Sequence, residues 1–146
     1  MTTAVDTIAF FDGLADEMNA HPDRFTGLGD AEMTVGIVMR RPNGDFRLRL
    51  DFAGLGCSGV VEVQSDEALL ADFCLVGPFE AWRAMFDDIH ANGRATGLST
   101  INSLALMGDR IHCDGQDPMG LDKFSRFNQT LQEFLDGARH LAVSTR

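Results

Sequence analysis

The sequence predicts an α+β fold: a five-stranded, mostly antiparallel sheet with helices packed on one face and a long C-terminal helix. Three observations carry this. Asp45–Ala53 alternates strictly, Phe46, Leu48, Leu50 and Phe52 on one side and Arg47, Arg49 and Asp51 on the other, the pattern of a strand with one dry and one wet face. An Asn43-Gly44 pair precedes it, a strong short-range signal for a hairpin. Near the end, Gly120, Phe124, Phe127, Leu131, Phe134 and Ala138 recur at spacings of 4, 3, 4, 3 and 4, one helical stripe.

The remaining elements fall around these in order. Thr3–Asn19 reads as a helix, with Val5, Ile8, Phe11, Leu14, Ala15 and Met18 on its apolar side and His21-Pro22 ending it. Thr34–Arg40, with Val35, Ile37 and Met39 in step, is the partner strand of the hairpin. Gly54-Leu55-Gly56 turns the chain into a third strand, Cys57–Gln64, with Val61 and Val63 on one face. Ser65–Leu70 forms a helical turn, and Asp72–Val76 a fourth strand with Phe73 and Leu75 opposite Cys74 and Val76. Gly77-Pro78 opens a helix with proline at its first position and Trp82, Met85, Phe86 and Ile89 as its stripe, stopped at Asn92-Gly93. Ser99 caps a shorter helix carrying Ile101, Leu104 and Ala105 and ended by Gly108. Arg110–Asp114 is the fifth strand, and Asp117-Pro118 starts the last helix, whose opposite face carries Lys123, Arg126, Gln129, Gln132, Glu133 and Asp136.

With 146 residues, 45% of them apolar, the chain is expected to form a single domain over residues 1–146 around one core. Twelve basic residues against 22 acidic ones leave a net charge of −10, which repels phosphate backbones and argues against a nucleic-acid partner. No apolar run approaches the ~20 residues of a spanning helix, so stable membrane insertion is not expected. Cys57, Cys74 and Cys113 are odd in number and unpaired in spacing, which suits buried free thiols in the cytoplasm. His21, His90, His112 and His140 show no metal-ligand spacing. His112 and Cys113 are neighbours on a strand and point to opposite faces. His90 suits a helix C-terminus, where the dipole favours a cation. Asp109 and Asp114 read as turn residues, with no nucleophile or oxyanion feature beside them. The Gly54–Gly59 run precedes a strand rather than a helix and lacks a phosphate cradle; a turn with a bulge accounts for it. The expectation is no catalytic residue, no metal and no cofactor. Eleven Phe, seven Met and one Trp with no Tyr describe either a filled aromatic core or an apolar cavity, and periodicity alone does not distinguish the two.

From Ala71 onward a set of short motifs follows in order: Ala71-Asp72 opening a strand, then a helix with Trp82 and Phe86, then the short helix Ser99–Met107. Gly108-Asp109-Arg110-Ile111-His112-Cys113-Asp114-Gly115 comes next, and Met119-Gly120-Leu121 opens the last helix. This set resembles the sterol carrier protein 2 family of lipid-binding domains, while the first half is similar in element order. The sequence departs from the family in a longer Gly93–Ser99 connection, in Gln116-Asp117-Pro118 and in its acidity, and no peroxisomal address is expected. The resemblance implies non-enzymatic binding or carriage of an apolar ligand (a sterol, a fatty acyl chain or another lipid) in a hydrophobic pocket between sheet and helices. Carried over by position, the ligand would meet Leu50 and Phe52 of the sheet, Trp82 and Phe86, Ile101 and Leu104, and Phe124, Phe127 and Leu131. Two other readings stay open: a small steroid- or lipid-modifying enzyme with an apolar cavity, and an oligomerisation or regulatory domain, such as a homodimer burying its last helix against a second copy.

Overall fold

The computed structural model describes residues 3–64, 70–106, 110–115, 118–141 and 143–144. The chain enters through a two-residue strand, β1 (Thr3–Ala4), into helix α1 (Ile8–Ala20). Thr7 caps α1, its Oγ1 accepting from the Phe10 amide at 3.2 Å. The buried face of α1 holds Phe10, Phe11, Leu14, Ala15 and Met18, so the stripe is wider than predicted by Phe10.

The predicted hairpin is present. Strands β2 (Met33–Arg40) and β3 (Phe46–Ala53) pair antiparallel with Val35 opposite Leu50 and Ile37 opposite Leu48. Gly44 turns between them at φ +120°, a conformation that penalises a Cβ. Strand β4 (Gly56–Glu62) returns along β3, and the register slips between Asp51 and Phe52, the bulge expected of this glycine-rich turn. Val63 lies just past β4, its amide donating to the Arg47 carbonyl at 3.0 Å. Strand β5 (Phe73–Pro78) then runs parallel to β2, and β6 (His112–Asp114) antiparallel to β5. The sheet order is β4-β3-β2-β5-β6, and the C-terminal β7 (Val143–Ser144) pairs in parallel with β1.

The helices differ from the reading of the sequence mainly at their starts. Helix α2 (Phe79–Asn92) begins one residue late: Pro78 is its extended cap, still paired in the sheet opposite Arg40. It stops at Gly93, left-handed at φ +81°, whose amide reaches the Ile89 carbonyl at 2.7 Å. Ser99 does not cap α3 (Ile101–Leu106); it closes a 3-10 turn, Gly97–Ser99, and Thr100 does the capping through its Oγ1, which accepts from the Ser103 amide at 3.2 Å. Strand β6 is shorter than predicted, yet Ile111 before it is fully buried. Helix α4 (Pro118–Asp136) continues into a 3-10 turn, Gly137–His140, that carries Ala138 into the core. The turn predicted over Ser65–Leu70, the Gly108 terminator and Asp117 at the start of α4 lie outside the described residues, apart from Leu70.

All four helices contribute to one apolar cluster with the inner face of the sheet, where Val35, Ile37, Leu48, Leu50, Phe73 and Leu75 point. The outer face is less uniformly polar than expected. Arg47, Arg49 and Asp51 lie there half-buried, with Arg49 Nε 3.2 Å from Asp51 Oδ1. Beside them Val38, Val63 and Cys74 form a small second apolar cluster with Val76 against it.

Candidate functional site

The nine residues predicted to surround a ligand come together. Leu50 and Phe52 project from β3, Trp82 and Phe86 from α2, Ile101 and Leu104 from α3, and Phe124 and Leu131 from α4, all buried in the same cluster. Phe127 packs against it half-buried, with the Arg126 guanidinium 5.2 Å from its ring centre. Edge-to-face contacts fix several of these rings: Phe86 meets Phe10 at 4.9 Å and Phe11 at 6.3 Å between centres, Phe52 meets Phe134 at 5.0 Å, and Phe124 meets Phe73 at 5.4 Å. Such pairs are worth roughly 0.5–1.5 kcal/mol each beyond burial. The stripe read from the sequence omits Phe10. Its signal is adjacency to Phe11, since a helix buried against both a sheet and other helices needs a stripe broader than one residue per turn. Trp82 is fully buried, and its Nε1–H donates to the Val38 carbonyl at 3.3 Å, so the indole keeps its polar handle satisfied within an apolar layer.

Polar groups tie the cover together. Asp136, expected on the solvated face of α4, is 7% exposed. Its Oδ1 accepts from the Ala95 amide at 3.2 Å and from Gln132 Nε2 at 2.8 Å, which turns it toward the chain between α2 and α3. Burial pushes this carboxyl above its ordinary range, against the pull of those two hydrogen bonds. Gln132 Oε1 accepts from the Ile101 amide at 2.6 Å. At the other end of α4, Asp72 Oδ2 accepts from the Thr34 amide at 2.9 Å and from Lys123 Nζ at 3.0 Å. Burial raises the Asp72 carboxyl, but the Thr34 amide and Lys123 outweigh it and the net direction is down.

The motif residues that carried the resemblance meet at this second tie. A Cβ on Gly120 would overlap the Asp72 carbonyl oxygen and come within 3.0 Å of its carbon, so α4 lies against the backbone of Asp72, just before β5. A Cβ on Gly115 would sit 2.9 Å from Leu121 Cγ, and one on Gly77 2.6 Å from the Arg110 carbonyl. These glycines act as close-approach points between β5, β6 and α4.

The three cysteines are the nucleophilic side chains nearest this cluster in the sequence reading, and burial governs their ionisation. Burial raises Cys57 to about 11, Cys74 to about 12 and Cys113 to about 11, which keeps them as thiols at neutral pH. All three are free; Cys113 is half-buried rather than buried. His112 and Cys113 lie opposite Val76 and Leu75 of β5 and so face opposite ways. Among the described residues, no group of three or more His, Cys, Asp or Glu is placed to hold a metal ion. An open cleft of about 360 Å³ lies elsewhere, between α1 and β4, lined by Asp12, Asp16, Asn19, Cys57, Ser58 and Val60 among others. It shares none of the nine residues. In it the Asn19 side chain bonds both the amide and the carbonyl of Cys57, each at 2.9 Å.

Two solved structures share this architecture over nearly the whole chain. One is the solution structure of a conserved hypothetical protein from Thermus thermophilus, for which a sterol carrier identity has been suggested. It is 18% identical, with a TM-score of 0.71 over 99% of this chain and 97% of that one. The other is the crystal structure of sterol carrier protein 2, 20% identical, with a TM-score of 0.70 over 94% of this chain and 99% of that one. The fold is sterol carrier protein 2-like. No protein-family model matches the sequence, and no curated protein does. Among the described residues no helix is long and apolar enough to cross a membrane.

Proposed function

We propose that this chain binds and carries an apolar ligand, a sterol, fatty acyl chain or other lipid, between its sheet and its helices, and performs no covalent chemistry on it. The observation that carries the reading is the convergence of Leu50, Phe52, Trp82, Phe86, Ile101, Leu104, Phe124, Phe127 and Leu131 on one apolar cluster, in a fold shared with sterol carrier protein 2. Uptake of a ligand here would draw on side chains that can repack around it. Met18, Met33, Met39 and Met85 lie in the same cluster, and unbranched thioethers refill irregular space at little cost. Micromolar binding corresponds to about 8 kcal/mol. Burial of roughly 330 Å² of apolar surface supplies that at about 25 cal/mol per Å², before ordering costs are subtracted. Free thiols, two of them buried, fit a reducing compartment such as the cytoplasm, and the net charge of −10 fits a soluble carrier better than one that clings to anionic membranes.

Titration with a fluorescent fatty acid and a fluorescent sterol tests this, read on Trp82 emission and on the probe's own signal. Saturable binding at micromolar concentration is expected. Ile101→Trp should block it at a stability cost of about 1–3 kcal/mol, read on the probe alone because the variant adds a second indole. If no probe binds the wild type and Ile101→Trp unfolds, the interior is permanent core and the carrier reading is wrong.

A further inference from the structure

The chain between α2 and α4 is held to the rest of the molecule by side-chain acceptors at three backbone amides. Asp88 Oδ2 takes the Thr96 amide at 2.6 Å, Asp136 Oδ1 takes Ala95, and Gln132 Oε1 takes Ile101. The first two sit in the connection itself. The third sits at the first residue of α3, and α3 carries Ile101 and Leu104 into the interior. Gln132 is half-buried, and its Nε2–H donates to Asp136 Oδ1 at 2.8 Å. One carboxamide therefore spans from α4 to the α3 backbone while its other end is fixed by a buried carboxylate. Leu131, its neighbour on α4, belongs to the apolar cluster. Separating α3 from α4 at this end breaks the Gln132–Ile101 bond.

We infer that Gln132 is a positioning residue that governs how readily α3 lifts from α4, and so sets the rate at which an apolar ligand enters and leaves the interior. The second half of this statement rests on the carrier reading; the first half does not. Because Gln132 is none of the nine residues assigned to ligand contact and bonds the α3 backbone instead, losing its bond should speed entry and exit alike and leave their ratio nearly unchanged. A residue that only stabilised the fold, or only contacted ligand, would not produce that pairing.

The experiment compares wild type with Gln132→Met, which keeps length and helix propensity but can neither accept from Ile101 nor donate to Asp136. Gln132→Asn, too short to span both partners, serves if Gln132→Met folds poorly. Gln129→Leu, on the exposed side of α4, is the control. Amide hydrogen exchange without ligand should rise roughly fivefold across Ile101–Leu106 in the Gln132 variants, the factor one lost hydrogen bond of this kind supplies, and stay unchanged in the control. Stopped-flow mixing with cis-parinaric acid should show association and dissociation both faster by a similar factor, with affinity within about twofold. Unchanged exchange in folded Gln132 variants overturns the inference, as does a change in affinity without matched changes in both rates. A wild type that binds no cis-parinaric acid sinks the carrier reading and the rate claim with it, while the exchange result still decides whether Gln132 holds α3.

Discussion

Replacing Gly120 with alanine sets two effects of opposite sign against each other. Helix propensity favours alanine by up to about 1 kcal/mol in a helix interior, and by less in the first turn, where Gly120 stands. Sterics oppose it. The new methyl would overlap the Asp72 carbonyl oxygen, and its 3.0 Å and 3.4 Å separations from the Asp72 carbonyl carbon and Cα leave no slack on that side. Backbone on both sides cannot rotate away as a side-chain tip can, so the start of α4 must retreat by on the order of 1 Å. That retreat stretches the 3.0 Å Lys123–Asp72 ion pair and loosens the Phe73–Phe124 ring contact. Overpacking of this kind typically costs about 1–3 kcal/mol, leaving a net loss of about 1–2 kcal/mol after the propensity gain. With a urea slope of about 1–3 kcal/mol per M, the midpoint should fall by roughly 0.3–2 M. Gly27→Ala is the control: a Cβ there meets nothing within 4 Å, and the change should be neutral or stabilising by up to about 1 kcal/mol. Equilibrium urea unfolding followed by Trp82 emission and by circular dichroism measures both. A Gly120→Ala midpoint at or above that of wild type would show that α4 does not rest on the Asp72 backbone as described.

Three further expectations concern ionisation and reactivity. Asp136, raised in the folded state above its ordinary 3.8, destabilises the fold progressively as pH climbs from that value through its folded pKa. Asp136→Asn keeps the Oδ1 acceptor and cannot ionise, so in urea melts across pH it should gain on wild type as pH rises; a variant that instead loses ground at neutral pH refutes this. Asp72 runs the other way: its lowered carboxyl adds stability above 3.8 that is lost in acid as the folded state takes up the proton. Asp72→Asn should therefore cost about 1–2 kcal/mol at neutral pH and much less near pH 2, and an equal cost at both would contradict it. Cys57 and Cys74, buried thiols with pKa values of about 11 and 12, should resist an aromatic disulfide reagent at pH 8 in the native protein and react within seconds in urea; prompt native labelling of either would mean that its burial is wrong.

Local periodicity makes the strands of the hairpin and the stripe of α4 readable, because each is a repeat that the chain states within a dozen residues. The parallel alignment of β5 with β2 has no such signature. It depends on a pairing across more than thirty positions, fixed in part by Thr34 and Asp72, whose side chains bond each other's backbone amides at 2.9 Å. Helix starts are ambiguous where acceptable capping residues stand side by side: Ser99 and Thr100 are equivalent by composition, and the structure uses Thr100. Asp136 escapes sequence reading for a deeper reason. A carboxylate on a helix reads as solvated, and the amide that satisfies it belongs to Ala95, a residue whose side chain carries no polar signal. The nine apolar residues of the candidate site are legible as faces. Phe134 is legible on the α4 stripe, but its edge-to-face contact with Phe52, like that of Phe10 with Phe86, depends on the angles between elements, which no stripe encodes.

The Asn19 carboxamide has a consequence for how the protein lives among copies of itself. By presenting one donor and one acceptor to Cys57, it offers β4 what the peptide group of an adjoining strand would offer, so that station on the sheet's border is already taken. A bare border invites recruitment, one chain templating the next into a growing ribbon. Asp12 and Asp16, on the same helix and lining the same cleft, add like charge against any second copy of this border that approaches. Helix α1 thus serves colloidal behaviour as well as packing: it plugs one rung of the ladder and electrifies the approach to it, and a chain with a smaller residue at position 19 would be expected to lose solubility before it lost its fold.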